Sequence, residues 1–273
     1  MKKQTTLTLL TGLLLALPSR AAEIAALAPD APWRVFLVCS QTGRNRNDPI
    51  TYTPAPPAHW MQADFDDSGW GRYSSDLPEA VGGYGCGQSS SSKWLCLRTR
   101  FGVVDPATVR DLVLTLEYRG GVVVYINGQE MARAHLPTGK LELETPAEEY
   151  PAEVIDAVLP RTARPAEKNL EAYEKRIRKW SGTLPAALLR KGANTLVIEL
   201  HAAPAGKLTQ GWSAVGLSGC TLTSQSGVGV VSYADAIQGV TLWNATPMDT
   251  VAVKPGKYQS GFLWWASRSR RSD

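Results

Sequence analysis

The chain has 273 residues, 44% of them hydrophobic, with 29 Lys or Arg against 25 Asp or Glu and a formal net charge of +4. That length suits one large sandwich, or one domain with an appendage. The basic residues are scattered except at 268–271 and in one helix-like segment, which excludes a nucleic-acid-binding stripe.

Residues 1–21 read as a signal peptide. Lys2 and Lys3 precede a largely apolar core over 7–17 and a small-residue region, and cleavage after Ala21 puts Ser19 and Ala21 at the two recognition positions. The competing reading is a retained anchor, but the apolar core is short for a membrane span, and no other segment could cross a bilayer. The expected location is periplasmic or secreted. All four cysteines, Cys39, Cys86, Cys96 and Cys220, lie beyond the cleavage point. An exported chain with an even count invites disulfides, and the favoured pairings are Cys86 with Cys96 and Cys39 with Cys220. Four free buried thiols are the alternative. Zinc is disfavoured by the lack of a CxxC pair and by isolated histidines.

In chain order, 32–40 (PWRVFLVCS) is a first strand, and 41–57 is a polar, Pro-rich loop that cannot be a central strand. Residues 64–70 (DFDDSGW) carry Asp64, Asp66 and Asp67. Alternating Asp oxygens suit a hard cation such as calcium. The competing reading is that they cap a local turn while Phe65 and Trp70 anchor it. Residues 78–92 are Gly- and Ser-rich but precede a strand rather than a helix, so a surface loop is expected rather than a phosphate cradle. From Asp111, Leu112, Leu114, Leu116 and Tyr118 alternate with Val113, Thr115, Glu117 and Arg119, the period of a strand with one buried face. After Gly120 and Gly121 comes a β-branched run over 122–126, and Asn127-Gly128 predicts a type I′ hairpin turn with 129–135 running back.

Residues 141–183 form an insertion. Leu170, Tyr173, Ile177 and Trp180 share a helical stripe, with Glu171 and Lys175, and Glu174 and Arg178, four apart in the favourable order. Pro165 would open this short amphipathic helix, read as packing on the sandwich; a partner-binding or membrane-surface helix is the alternative. Residues 194–201 (NTLVIELH) are a strand, 211–223 the closing strand region, and 224–229 a linker. Residues 225–273 are expected to be that linker and the truncated start of a further domain or tail, ending in an apolar cluster and basic residues.

The ordered segments Trp60, FDDSGW, GGYG (82–85), LCLRTRF (95–101), DPATVRDLVLTLEY (105–118), GVVVYINGQEMAR (121–133) and LLRKGANTLVIELH (188–201) together resemble the galactose-binding-domain-like jelly roll found in β-galactosidases and other exported bacterial carbohydrate-active proteins. The resemblance covers about 33–223, and the sandwich is placed at 22–224. It implies an all-β antiparallel jelly-roll sandwich, here with one short helical insertion, usually non-catalytic, with a sugar-binding rim in some members and often a structural calcium. Many relatives carry an acidic pair before the hairpin glycine, where this chain has Arg119-Gly120-Gly121. A guanidinium there suits a carboxylate or sulfate.

Catalytic constellations are not legible. The Gly-x-Ser segments at 211–213 and 216–218 miss the second glycine of a nucleophile elbow, and no carboxylate pair stands out for glycoside hydrolysis. His59, His135 and His201 are far apart, so any site built from them depends on the fold. Tyr84, Trp94, Tyr118 and Trp212 are candidates for stacking on a sugar face, with Arg119 as a polar contact; the competing reading makes most of them core or loop anchors. The expected function is an exported, non-enzymatic carbohydrate-binding or accessory module that requires no cofactor. A structural or protein-interaction module with a vestigial sugar site, and the accessory domain of a hydrolase whose catalytic part is absent, are the alternatives.

Overall fold

The computed structural model describes residues 24–27, 31–41, 51–73, 90–156, 174–204 and 215–231. The expected signal peptide, the first turns of the expected insertion helix, Tyr84, Cys86, Trp212 and the tail from 232 onward lie outside the described residues.

Two antiparallel sheets form a sandwich. The smaller contains β1 (Ile24–Leu27), β11 (Gly216–Ser224), β6 (Leu112–Arg119) and β9 (Arg178–Thr183), in that order. The larger runs β3 (Thr51–Tyr52), β2 (Trp33–Gln41), β5 (Ser90–Val103), β10 (Gly192–His201), β7 (Gly121–Ile126) and β8 (Gln129–Ala134). Beside that path β4 (Gly71–Tyr73) pairs with β2, and β12 (Val230–Val231) with β5. The chain passes repeatedly from one sheet to the other, so the hydrophobic faces close on each other as in a jelly roll. A five-residue helix, α1 (Ala152–Asp156), lies within the insertion. Among the described residues no helix is long and apolar enough to cross a membrane.

The alternation read in β6 is the core contact of the smaller sheet. Leu112, Leu114, Leu116 and Tyr118 are fully buried against Leu196, Ile198 and Leu200 of β10 and Val122, Val124 and Ile126 of β7. Each such aliphatic side chain contributes about 1.5–3 kcal/mol by leaving water.

The β7–β8 hairpin turns at Asn127 and Gly128, with φ of 53° and 86°. Both lie in the left-handed region that a type I′ turn demands. The Asn127 side chain then reaches out of its own turn: Nδ2 donates to Asn194 Oδ1 (2.8 Å) and to the Leu188 carbonyl (2.8 Å), while Oδ1 accepts from the Thr195 N–H (3.0 Å). Asn194 in turn ties down the approach to β10, donating to the carbonyls of Arg190 (2.7 Å) and Gly192 (3.1 Å) and accepting from the Arg190 N–H (2.8 Å). Two of the segments that carry the sequence resemblance, 121–133 and 188–201, are thus joined by a buried amide pair. At the other end of β7, Gly120 has φ of 89°, and a Cβ on Gly121 would come within 2.5 Å of the His135 carbonyl. Only glycine permits both the turn and the close approach.

Three expectations need correction. Residues 178–180, assigned to the end of an amphipathic helix, belong to β9. Arg178 pairs with Tyr118 and Trp180 with Leu116, and the side chains alternate between half-buried and exposed along the strand. An open position beside β6 outweighs a local 3.6-residue stripe, since strand preference is set largely by neighbours. The Trp180 ring folds over Gly182, where a Cβ would sit 2.6 Å away. Neither favoured disulfide forms, because Cys96 and Cys220 are free thiols. Cys220 is on β11 of the smaller sheet, opposite Leu116, whereas Cys39 is on β2 of the larger sheet; Cys96 is buried between Phe36 and Glu199. Finally, 224–229 is a pinned turn rather than a linker. Asp111 accepts hydrogen bonds from the hydroxyls of Ser224 and Ser226 and from the Ser226 N–H (2.7–3.0 Å), and β12 then returns to β5.

The outward face of the larger sheet is also covered. Trp60 and Trp70 are buried there with Cys96 and Val197, and Phe36, Phe65, Trp94 and Tyr125 pack around them. Arg98, fully buried on β5, holds this layer down: Nε donates to Asp67 Oδ2 (2.8 Å) and Nη1 to the carbonyls of Trp60 and Gln62. Arg34 adds a longer contact to Asp67 Oδ1 (3.6 Å). Burial pulls both arginines below their ordinary value, and Asp67 opposes that shift.

Two substitutions test these fastenings. Asn194→Ala strands buried groups on Asn127 and Arg190 at about 1–3 kcal/mol each, so urea unfolding should show a loss of at least about 2 kcal/mol; an unchanged midpoint would remove the amide pair from the list of supports. Asp67→Asn leaves the Arg98 charge buried without its counterion, for which a loss of about 3–5 kcal/mol is expected. Asp66→Asn, in the exposed part of the same turn, should cost less than about 1 kcal/mol.

Candidate functional site

Polar chemistry gathers where the β6–β7 turn, the end of β8, the segment 136–154 and residues 174–178 meet. A cleft of about 500 Å³ opens there, lined by His135, Glu148, Glu149, Tyr150, Pro151, Val154, Lys175 and Arg178. His135 closes β8 with φ of 58°, a left-handed conformation uncommon for a non-glycine residue. Its carbonyl accepts from the Glu148 N–H (2.9 Å), and its Nδ1 lies 2.8 Å from Glu148 Oε2. Hydrogen bonding to His135 holds the Glu148 carboxyl below its ordinary value.

Tyr150 is the hub of the cleft wall. Its hydroxyl accepts from the Gly120 N–H (2.8 Å) and donates to the Arg176 carbonyl (2.9 Å), so it ties the β6–β7 turn to the segment leading into β9. The Arg178 guanidinium lies over the Tyr150 ring, 4.1 Å from its centroid. From there Nη1 donates to the Gly120 carbonyl and Nη2 to the Glu148 carbonyl, each at 2.9 Å. Burial raises the Tyr150 hydroxyl above its ordinary value, against the lowering effect of the Gly120 N–H and of Arg178, Arg119 and Arg176. Arg178 is therefore engaged by the fold, not by Glu174 as the helical spacing had suggested.

A second polar group lies under the loops on the outward face of the larger sheet. Glu199 and His201 are buried, and the Tyr125 hydroxyl donates to Glu199 Oε2 (2.8 Å). His201 Nε2 lies 2.9 Å from Glu199 Oε1, and Nδ1 faces the Thr145 carbonyl at 3.0 Å. A carbonyl can only accept, so Nδ1 donates in that contact. This links β10 to the segment that builds the cleft. Burial, reinforced by the Glu199 carboxylate, pushes the Tyr125 hydroxyl well up.

The sequence candidates fare differently. Tyr118 is fully buried in the core, its hydroxyl raised by burial to about 12, and it cannot stack on a ligand. Arg119 is fully buried too, with Nη1 3.4 Å from Ser218 Oγ, so its guanidinium is not presented on the turn. Trp94 is half-buried, stacked on His201 with ring centroids 5.2 Å apart and edge-on to Trp60, which makes it an anchor of the outer layer. Tyr84, Trp212 and Cys86 lie outside the described residues. The three aspartates do not converge: Asp67 faces Arg98, Asp66 accepts from the Ser68 N–H (3.0 Å), and Asp64 is exposed. Among the described residues no group of three or more His, Cys, Asp or Glu is placed to hold a metal ion. The cleft residues were missed because they come from separate parts of the chain. The signals available were the basic end of the insertion and the isolated His135.

No protein-family model and no curated protein matches the chain. Among solved structures, similarity is found to a Bacteroides uniformis β-glucuronidase, at 12% identity and a TM-score of 0.41, covering 74% of this chain and 18% of that one. A β-glycosidase from Bacteroides vulgatus is similar at 11% identity and a TM-score of 0.34, with 75% and 20% covered. A β-glucuronidase from glycoside hydrolase family 2 gives 11% identity, a TM-score of 0.37, and 69% and 15% covered. The chain thus spans less than a quarter of the length of each of these proteins.

Proposed function

We propose that this chain is a non-catalytic accessory module of an exported protein, and that it binds carbohydrate in the cleft beside Tyr150. The observation that carries the reading is the composition of the cleft. Glu148 and Glu149 offer acceptors, Lys175 and His135 offer charged or polar contacts, and Pro151 and Val154 supply an apolar wall. A sugar ring presents hydroxyls that donate to carboxylates and accept from ammonium groups, together with an apolar C–H face. The lining is rigid where it matters, since Tyr150 and Arg178 are held by hydrogen bonds to backbone on two sides. Binding would be to a rim of the sandwich, not to a sheet face.

Two arguments support export. The N-terminal residues have the order of a signal peptide. Cys39 is disulfide-bonded, while Cys96 and Cys220 are free. A disulfide fits an oxidising compartment.

A glycan array followed by calorimetry on the mature chain should show saturable binding to at least one glycan. Glu149→Gln, in an exposed lining position, should weaken it about tenfold, the loss expected for a hydrogen bond to a charged group. The absence of retention on any glycan would remove the binding claim and leave an interaction module. Separately, the protein recovered from the periplasm or medium of expressing bacteria should begin at residue 22 and yield a disulfide-linked Cys39 peptide without reduction. An unprocessed chain, or a Cys39 that alkylates without reductant, would overturn the export reading.

A further inference from the structure

His135 and Glu148 meet on the cleft wall with their backbones already fixed. The Glu148 N–H donates to the His135 carbonyl and the Glu148 carbonyl accepts from Arg178 Nη2, each at 2.9 Å. The His135 ring lies near the buried ring of Tyr118, with centroids 6.3 Å apart, yet its side chain is 36% exposed and lines the cleft. The two side chains are thus held in register before any ligand arrives.

Histidine has two unlike nitrogens, and a partner on one decides what the other can do. Glu148 Oε2 lies 2.8 Å from His135 Nδ1. The hydrogen bond to His135, and then the attraction of the ring's charge, hold the Glu148 carboxyl below its ordinary value. It is therefore a carboxylate over the range, about pH 5 to 8, in which histidine ordinarily changes charge. A carboxylate only accepts, so Nδ1 carries a proton in both charge states of the ring. Nε2 is the position that changes. On the neutral ring it is a lone pair that accepts; once it takes a proton from solvent it is a cationic donor. The same proton turns the contact with Glu148 into an ion pair, which draws that carboxylate away from ligand hydroxyls.

We propose that His135 is a specificity-determining contact of the cleft: Glu148 fixes its tautomer, Nε2 of the neutral ring accepts from a saccharide hydroxyl, and acidification withdraws that acceptor. The proposal rests on the carbohydrate reading of the cleft and gives the site a named contact and a pH dependence. Glu148 is a positioning residue that acts through the ring. The other ionisable groups around His135 are Tyr118 of β6, whose hydroxyl burial raises to about 12, and Tyr150, whose hydroxyl is raised and engaged by Gly120 and Arg176. Glu149, Lys175 and Arg178 line the cleft with it, and on β8 Arg133 pairs with Glu130. Of these residue types, only histidine ordinarily changes charge between about pH 5 and 8.

The test uses the full mature chain. The His135 Cε1 proton is followed by NMR from about pH 5 to 8, and calorimetry over the same range measures binding of neutral oligosaccharides of galactan, mannan and β-glucan. Whichever of the three binds should do so about threefold to tenfold more tightly at the upper end of the range, the span of one hydrogen bond, with the same midpoint as the ring. His135→Asn, chosen because asparagine tolerates the left-handed backbone, should flatten the profile. Glu148→Gln, at an exposed position, keeps an acceptor for Nδ1 but removes the charge that favours the imidazolium. It should therefore move the ring midpoint and the binding midpoint down together by about half a pH unit, whereas loss of a merely structural residue would move neither. A pH-independent affinity, or a profile that survives His135→Asn, would overturn the assignment and leave the carbohydrate reading intact. Midpoints unmoved by Glu148→Gln would overturn the positioning role. Failure of all three oligosaccharides at every pH would remove both readings.

Discussion

The larger sheet is buried on both faces, and that constraint governs where the polar residues of this molecule go. One face closes on the smaller sheet with aliphatic side chains. The other is roofed by the loop around Trp60 and Trp70 and by the segment around Ala147 and Tyr150. Loops laid over a sheet must satisfy their own backbone groups and bring few apolar residues of their own. The strands therefore supply polar anchors: Arg98 reaches the first loop through Asp67 and two carbonyls, and His201 reaches the second through the Thr145 carbonyl.

The roof explains why residues with the appearance of ligand contacts are structural. Trp94, exposed in a simple alternation model of β5, is pressed between His201 and Trp60. Glu199 and His201 would be solvent-facing ends of a two-sided strand; instead they form a buried pair with Tyr125. What remains accessible is the place where the second roof segment meets the chain returning into β9. The cleft forms there.

Arg119 shows how charge can matter without being presented. The sequence put a cation at the turn before the hairpin, where an acidic pair was the family expectation. The fold buries that guanidinium beside Ser218. The Lys and Arg side chains that line the cleft come from 175 and 178, across the insertion, and Tyr150 connects that segment to the turn at Gly120. A reading confined to local spacing could not join these three segments, since they lie up to 58 residues apart in the contact of Arg178 with Gly120.

The sequence by itself determined the sandwich. Period-two alternation in β6 reflects a strand with one buried face, Asn127-Gly128 specifies its turn because few residues adopt positive φ cheaply, and both properties are local. It also placed β2 and β10 closely. Tertiary structure decided β9 against a helical stripe, because hydrogen bonds to β6 are long-range. It separated the sheets that hold Cys39 and Cys220, and it buried Tyr118 and Arg119. Above all it assembled the cleft from residues 135, 148–151, 154, 175 and 178. Which side chains share a rim depends on how loops are fastened over a sheet, and those fastenings, Arg98 to Asp67 and His201 to Thr145, are contacts between distant residues that no periodicity records.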